Sequence, residues 1–172
     1  IGELIRCPLF RRLARVPDDA VPLLRLAAVA GRRLDLPLLR HLGGDLDRWL
    51  GQCADAAVLD FHDGYWQFAH DKLREGLAAQ LAPDQARALH RQVAEALEQS
   101  RQPTATDLLN LAFHMEAAGQ IPAAFRYALR AGEAALARGA VQQAADLFAR
   151  ALRMESDAGA PVLHRVQVRR LL

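Results

Sequence analysis

Residues 58–68 read VLDFHDGYWQF, with Asp63-Gly64 at the centre. Asp-Gly is a strong signal for a two-residue hairpin, because a type I′ turn needs positive φ at both central residues. A turn there pairs Phe61 with Trp66 and Leu59 with Phe68. These four side chains then share one face of the ribbon, and Asp60, His62, Tyr65 and Gln67 share the other. Turn chemistry and alternation therefore predict the same register.

Upstream of the hairpin the period is helical. Residues 1–15 (IGELIRCPLFRRLAR) read as a basic helical lead-in interrupted by Pro8. Asp19 is expected to cap a first helix with Pro22 in its first turn, where a missing N–H is harmless. Leu23, Leu26, Ala27 and Ala30 would share its buried face, and Gly31 would close it in the left-handed region. Asp35 caps a short second helix ending at Gly43-Gly44. Asp45 opens a third, with Leu46, Trp49, Leu50, Cys53 and Ala57 at helical spacing. Three helices followed by a hairpin is the layout of a winged helix.

Downstream, Asp71 is expected to cap a helix that stacks Leu73, Leu77 and Leu81 and that Pro83 breaks. A second helix over about 84–99 buries Ala86, Leu89, Val93 and Leu97. The polar stretch 99–106 (QSRQPTAT) reads as a linker and subdomain boundary. Three helices follow, over about 107–118, 121–137 and 140–154, with Gly119 and Gly139 as stops and Pro122 as a start. In the middle one, Phe125, Ala128, Leu129, Gly132 and Leu136 form one apolar stripe and Ala124, Ala131 and Ala135 another. A helix apolar on two sides is sandwiched between neighbours, as in stacked helical hairpins. Ala144-x3-Phe148-x2-Ala151 has the small–aromatic–small pattern of a tetratricopeptide second helix, although Gly119 and Gly139 do not keep a 34-residue period. Residues 155–161 read as a loop, and VLHRVQVRRLL (162–172) as the start of a further helix.

Composition excludes several chemistries. The 172 residues are 52% hydrophobic and 24% charged, with a net charge of +2, too small to argue for nucleic acid or an anionic membrane. Lys72 is the sole lysine and follows Asp71, so no Gly-x4-Gly-Lys-Ser/Thr phosphate loop is present. Ser100 and Ser156, the only serines, are read as lying in linkers, away from any nucleophile elbow. The histidines at 41, 62, 70, 90, 114 and 164 show no i,i+4 pair and no cluster with cysteine, which argues against a metal site. Cys7 and Cys53 are far apart, and a reducing cytoplasm is the simpler reading. No apolar run approaches the ~20 residues of a membrane span. Asp45, Asp47 and Asp55 face a single Arg48 on the third helix, and the hairpin tip carries no lysine or arginine. Such a surface repels phosphate and argues against DNA readout. The arginines at 11, 12, 32 and 33 read as scattered solvated charge. Ile1 and Leu172 are expected to be cuts in a longer polypeptide.

Four segments together, LLRLAAVAGRRLDLPLL (23–39), WQFAHDKLREGLAAQL (66–81), RALHRQVAEALE (87–98) and HMEAAGQIPAAFRYALRAGEAAL (114–136), resemble bacterial STAND-type signalling ATPases, a group that includes relatives of LuxR-family activators and of some bacterial kinases and cyclases. The resemblance implies a mostly α chain. It has a lead-in over 1–17 from an upstream module, a winged-helix domain over 18–70, a connecting helical hairpin over 71–100 and truncated tetratricopeptide-like repeats over 101–172. It further implies a regulatory and protein-interaction segment, not an enzyme, that couples an upstream ATP- and ADP-binding module in cis to a protein partner or small inducer on the repeats. Phe68-Ala69-His70-Asp71 resembles the Met-His-Asp motif of that group, although Phe68 and Ala69 replace the usual methionine context. The resemblance implies that His70 contacts the β-phosphate of ADP held upstream, and an imidazole beside a helix N-terminus suits an anion. No cofactor is expected within the chain itself. A DNA-binding transcription-factor domain and a stand-alone helical scaffold are the competing readings.

Overall fold

The computed structural model describes residues 9–100 and 103–158. The chain is mostly helical with a small two-strand antiparallel sheet, and it divides into two compact units, Ile1–Leu89 and His90–Leu172.

Unit 1 begins with a 3-10 helix, Phe10–Arg15, and continues through α1 (Val21–Ala30), α2 (Leu36–Leu42), α3 (Leu46–Asp55), β1 (Leu59–His62), β2 (Tyr65–Phe68) and α4 (Asp71–Ala79). The hairpin has the register read from its turn: Leu59 pairs with Phe68 and Phe61 with Trp66. Asp63 and Gly64 both take positive φ, 51° and 85°. The apolar face is graded along its length. Leu59 and Phe68 are fully buried, whereas Phe61 is 61% exposed, with its ring against that of Trp66.

The opposite face is not simply solvated. Gln67 is buried because residues 32–34 lie along the far side of β2, with an isolated Arg33–Gln67 bridge. Phe68 N–H donates to the Arg32 carbonyl at 3.1 Å, and Leu34 N–H to the Trp66 carbonyl at 2.9 Å. A strand hydrogen-bonded on both edges has no free edge, so its polar backbone is satisfied inside the fold. A few side-chain bonds to backbone carbonyls tie the helical segments of this unit to one another and to the chain before β1. Trp49 Nε1 donates to the Ala20 carbonyl (3.0 Å), Arg12 to the Ala57 carbonyl (3.1 Å) and Arg74 to the Ala28 carbonyl (3.4 Å). Gly76 on α4 leaves room for the Phe10 ring, which a Cβ would strike.

Several local expectations need correction. Asp19 does not cap α1: the N-cap is Ala20, without a side-chain bond, and Asp19 lies 3.6 Å from Arg48. Leu24, Ala27 and Ala28 are the most buried residues of α1, with Leu23 and Ala30 only half-buried, because the helix is covered on a broader face than one stripe. Gly31 ends α1 at φ 150°, ψ −176°, an extended glycine conformation that turns the chain into the 32–34 segment, not the left-handed cap. Asp35 and Asp45 cap α2 and α3 as their sequence positions indicate, accepting from Leu38 N–H and Arg48 N–H. Helix α3 stops at Asp55, so Ala57, at φ 55°, lies past it. Arg32 and Arg33 are exposed, as solvated charge is, and Arg12 is half-buried, but each has a partner. Arg12 is bonded as above, Arg32 pairs with Asp71, and Arg33 donates to the Tyr65 hydroxyl at 2.9 Å while lying over its ring.

Helix α5 spans Pro83–Ser100, so the division between the units falls inside a helix and not within the polar stretch 99–106. Unit 2 then holds α6 (Ala105–Ala117), α7 (Ile121–Ala137) and α8 (Val141–Ala158). Thr104 and Asp107 form a reciprocal capping box that starts α6 inside the expected linker. Gly119 and Gly139 stop α6 and α7 with φ of 76° and 75°. Helix α8 continues through Ala158, where a loop was expected, and the serines at 100 and 156 therefore belong to helices. The helix expected over 162–172, the lead-in over 1–8 and Cys7 lie outside the described residues.

Helix α7 packs against both α6 and α8 and buries Ala124, Phe125, Ala128, Ala131, Gly132 and Ala135. Gly132 sets the approach to α8. A Cβ there would fall within contact radius of the Phe148 ring, which is wholly buried and has no room to swing aside. Arg150 Nε donates to Glu116 at 2.7 Å and ties α8 back to α6. In an ordinary helix interior, Gly→Ala gains about 1 kcal/mol. At Gly132 the overlap reverses the sign: Gly132→Ala is expected to lower stability by about 1–3 kcal/mol. Urea unfolding of the single variant, and of Gly132→Ala combined with Phe148→Leu, measures this. A stabilising Gly132→Ala, or no rescue by the smaller partner, contradicts it.

Candidate functional site

His70 stands where the sheet hands over to α4. Its backbone is extended (φ −151°, ψ 134°), two residues past the end of β2, and the next residue is already helical. The N-cap of α4 is therefore His70, not Asp71. Its Nδ1 accepts from Lys72 N–H at 3.3 Å, and its carbonyl accepts from Leu73 N–H at 3.0 Å. Asp71, the first helical residue, instead pairs with Arg32 at 3.0 Å.

This cap has a chemical consequence. An imidazole nitrogen that accepts a hydrogen bond carries no proton, so the neutral ring holds its proton on Nε2. The ring is exposed, and Nε2 has no partner among the described residues. His70 thus presents a fixed N–H donor at the positive end of a helix dipole. Two cations flank it. Arg32 is paired with Asp71, and Lys72 Nζ lies 2.9 Å from Glu75. The Lys72 hydrogen bond and charge hold the Glu75 carboxyl below its ordinary value. Exposed pairs of this kind contribute little stability and exchange readily with an incoming anion. The arrangement is suited to receive an oxyanion, not to perform bond chemistry.

Other residues singled out in the sequence fall elsewhere. Cys53 is buried, with its thiol pushed up to about 12 by desolvation, and behaves as an apolar side chain. Asp47 and Asp55 on α3 are exposed, as are His62 and Asp63 at the hairpin tip. Among the described residues no three of His, Cys, Asp or Glu gather as metal ligands, and no helix is long and apolar enough to cross a membrane. Two histidines with no local spacing between them nevertheless meet. His90 Nδ1 and His114 Nδ1 lie 2.8 Å apart in unit 2, with the Phe113 ring against both. They are separated by 24 positions on different helices, so no local spacing signals them.

Comparison with models of protein families, with curated proteins and with solved structures found no match for this chain.

His70→Ala removes the acceptor for Lys72 N–H and is expected to destabilise the chain by about 1 kcal/mol. His70→Asn, with a preferred capping side chain, is expected to restore most of that loss. Thermal unfolding of the two variants measures it; equal stabilities would contradict the capping role.

Proposed function

We propose that this chain is the regulatory and protein-interaction segment of a larger STAND-type signal-transduction regulator in the cytoplasm. Residues 18–70 act in it as a winged helix, 71–100 as a connecting hairpin, and 101–172 as tetratricopeptide-like repeats. An ATPase module upstream in cis binds ATP or ADP, and the repeats take a protein partner or a small inducer. The chain itself performs no catalysis.

Support for the winged-helix part comes from the order of α1, α2, α3 and the hairpin, with residues 32–34 laid along β2. Support for the repeat part comes from α7 packed between α6 and α8, and from the burial of Ala144, Phe148 and Ala151 together. The observation that carries the functional reading is the tautomer of His70. Its Nδ1 is committed to Lys72 N–H, so an outward Nε2–H is available to a phosphate oxygen of ADP. Acidic side chains on α3 disfavour the competing DNA-binding reading, because that surface repels a phosphate backbone.

In this reading the protein has two states, and ADP favours the one in which His70 reaches its phosphate. A hydrogen bond to a charged group contributes about 1.5–3 kcal/mol, enough to shift such an equilibrium about ten- to a hundredfold. Exchange of the nucleotide removes the contact and releases the interface.

The test uses His70→Asn in the full-length protein, since Asn keeps the helix cap and removes only the imidazole. ADP retention after gel filtration is expected to fall by about tenfold or more, with a rise in basal signalling output. Retention and output equal to those of the unsubstituted protein would overturn the sensor role.

A further inference from the structure

The pair formed by His90 and His114 plays no part in the function proposed above. His114 is 3% exposed, on α6, and His90 is half-buried on α5. Their Nδ1 atoms are 2.8 Å apart, within hydrogen-bond distance, and the ring centroids are 5.1 Å apart. Such a contact needs one Nδ1 to donate and the other to accept, so the two neutral rings hold opposite tautomers. Among the described residues, no carboxylate or guanidinium bonds to either ring. The contact sits where α5 meets α6. Farther along α5, Val93, Ala94, Ala96 and Leu97 are buried, and Glu98 accepts from the Tyr127 hydroxyl of α7 at 2.5 Å.

We propose that the His90–His114 contact is an acid-released latch that holds the C-terminal half of α5 onto α6. The first proton to arrive places a charge in a poorly solvated contact with no counter-ion. The second occupies the accepting nitrogen, and two like-charged donors then face each other. No arrangement of the two rings at this distance satisfies the doubly protonated pair, so the contact that ties α5 to α6 is lost and α5 is freed to move.

The electrostatics of the site point the same way. Burial lowers the pKa of His90, and burial together with the neighbouring His90 lowers that of His114 from 6.5 to about 4. Charged groups on the packed elements do not offset this. Arg91 on α5 is exposed, Glu116 on α6 is held by Arg150 on α8, and on α7 Arg126 is exposed and Arg130 lies over the Tyr127 ring; none of them contributes to either shift. The closed form binds protons more weakly than the open one. Its stability is therefore complete above the ordinary histidine value of 6.5 and is lost as pH falls toward about 4.

The experiment is amide hydrogen exchange on the full chain at about pH 7 and about pH 4.5, corrected for the intrinsic pH dependence of exchange. Protection of residues 91–99 is expected to fall by about tenfold or more at the lower pH. Amides of α7 and α8 are expected to keep theirs. In His90→Leu/His114→Phe, which fills the same space without a titrating group, the acid-dependent loss is expected to disappear. This control also separates the latch from ordinary titration of Glu98 and the other carboxylates. Loss of the same size in the double variant would overturn the latch, as would unchanged protection in the unsubstituted chain. Imidazole nitrogen chemical shifts of the unsubstituted chain provide a readout that does not depend on the variant folding. Both rings are expected to titrate below 6.5, and titration of either ring at or above that value would overturn the latch.

Discussion

The backbone of β2 is hydrogen-bonded on both edges, to β1 on one side and to residues 32–34 on the other. Much else in unit 1 follows from that constraint. A strand paired on both sides cannot slip by one residue without turning Phe68 out of the core and Gln67 into it. Phe68 is wholly buried and Gln67 is covered by the 32–34 segment, so the register is specified from both faces. The end of β2 then dictates where the chain can become helical. His70, two residues past the end of β2, is the last extended residue, and the cap of α4 falls on it.

That geometry also decides the chemistry of the imidazole. A histidine on a mobile loop would exchange tautomers freely. Here a backbone N–H from Lys72 occupies Nδ1 and leaves the proton on the outward nitrogen. The two nitrogens of the ring thus differ: Nδ1 caps a helix, and the exposed Nε2 has no partner among the described residues.

Unit 2 depends on a different device. Its helices alternate large buried side chains with alanines and Gly132, and the small residues let them approach closely. Phe148 is wholly buried among them, and Gly132 makes the space for it. Polar groups inside such a packing carry high stakes, since a buried group without a partner is far more costly than one bonded correctly. The capping box of Thr104 and Asp107 and the Arg150–Glu116 pair meet that demand with charges matched to donors. The two histidines meet it only while neutral.

Local chemistry in the chain was enough to specify the hairpin, its register and the caps at Asp35 and Asp45, because each depends on residues within a few positions of one another. The two apolar stripes of α7 were legible for the same reason, since helical periodicity reports which faces are covered. Periodicity does not report what covers them. The clearance that Phe148 requires of Gly132, the strand-like segment along Gln67 and the meeting of His90 with His114 arise between segments distant along the chain, and only packing brings them together. His70 lies at the border of the two regimes. Both it and Asp71 can cap a helix, and local sequence has no means to choose between them. The choice came from where the sheet ends: β2 stops at Phe68, held there by hydrogen bonds to residues 32–34, and the two residues after it bring His70, in an extended conformation, to the start of α4.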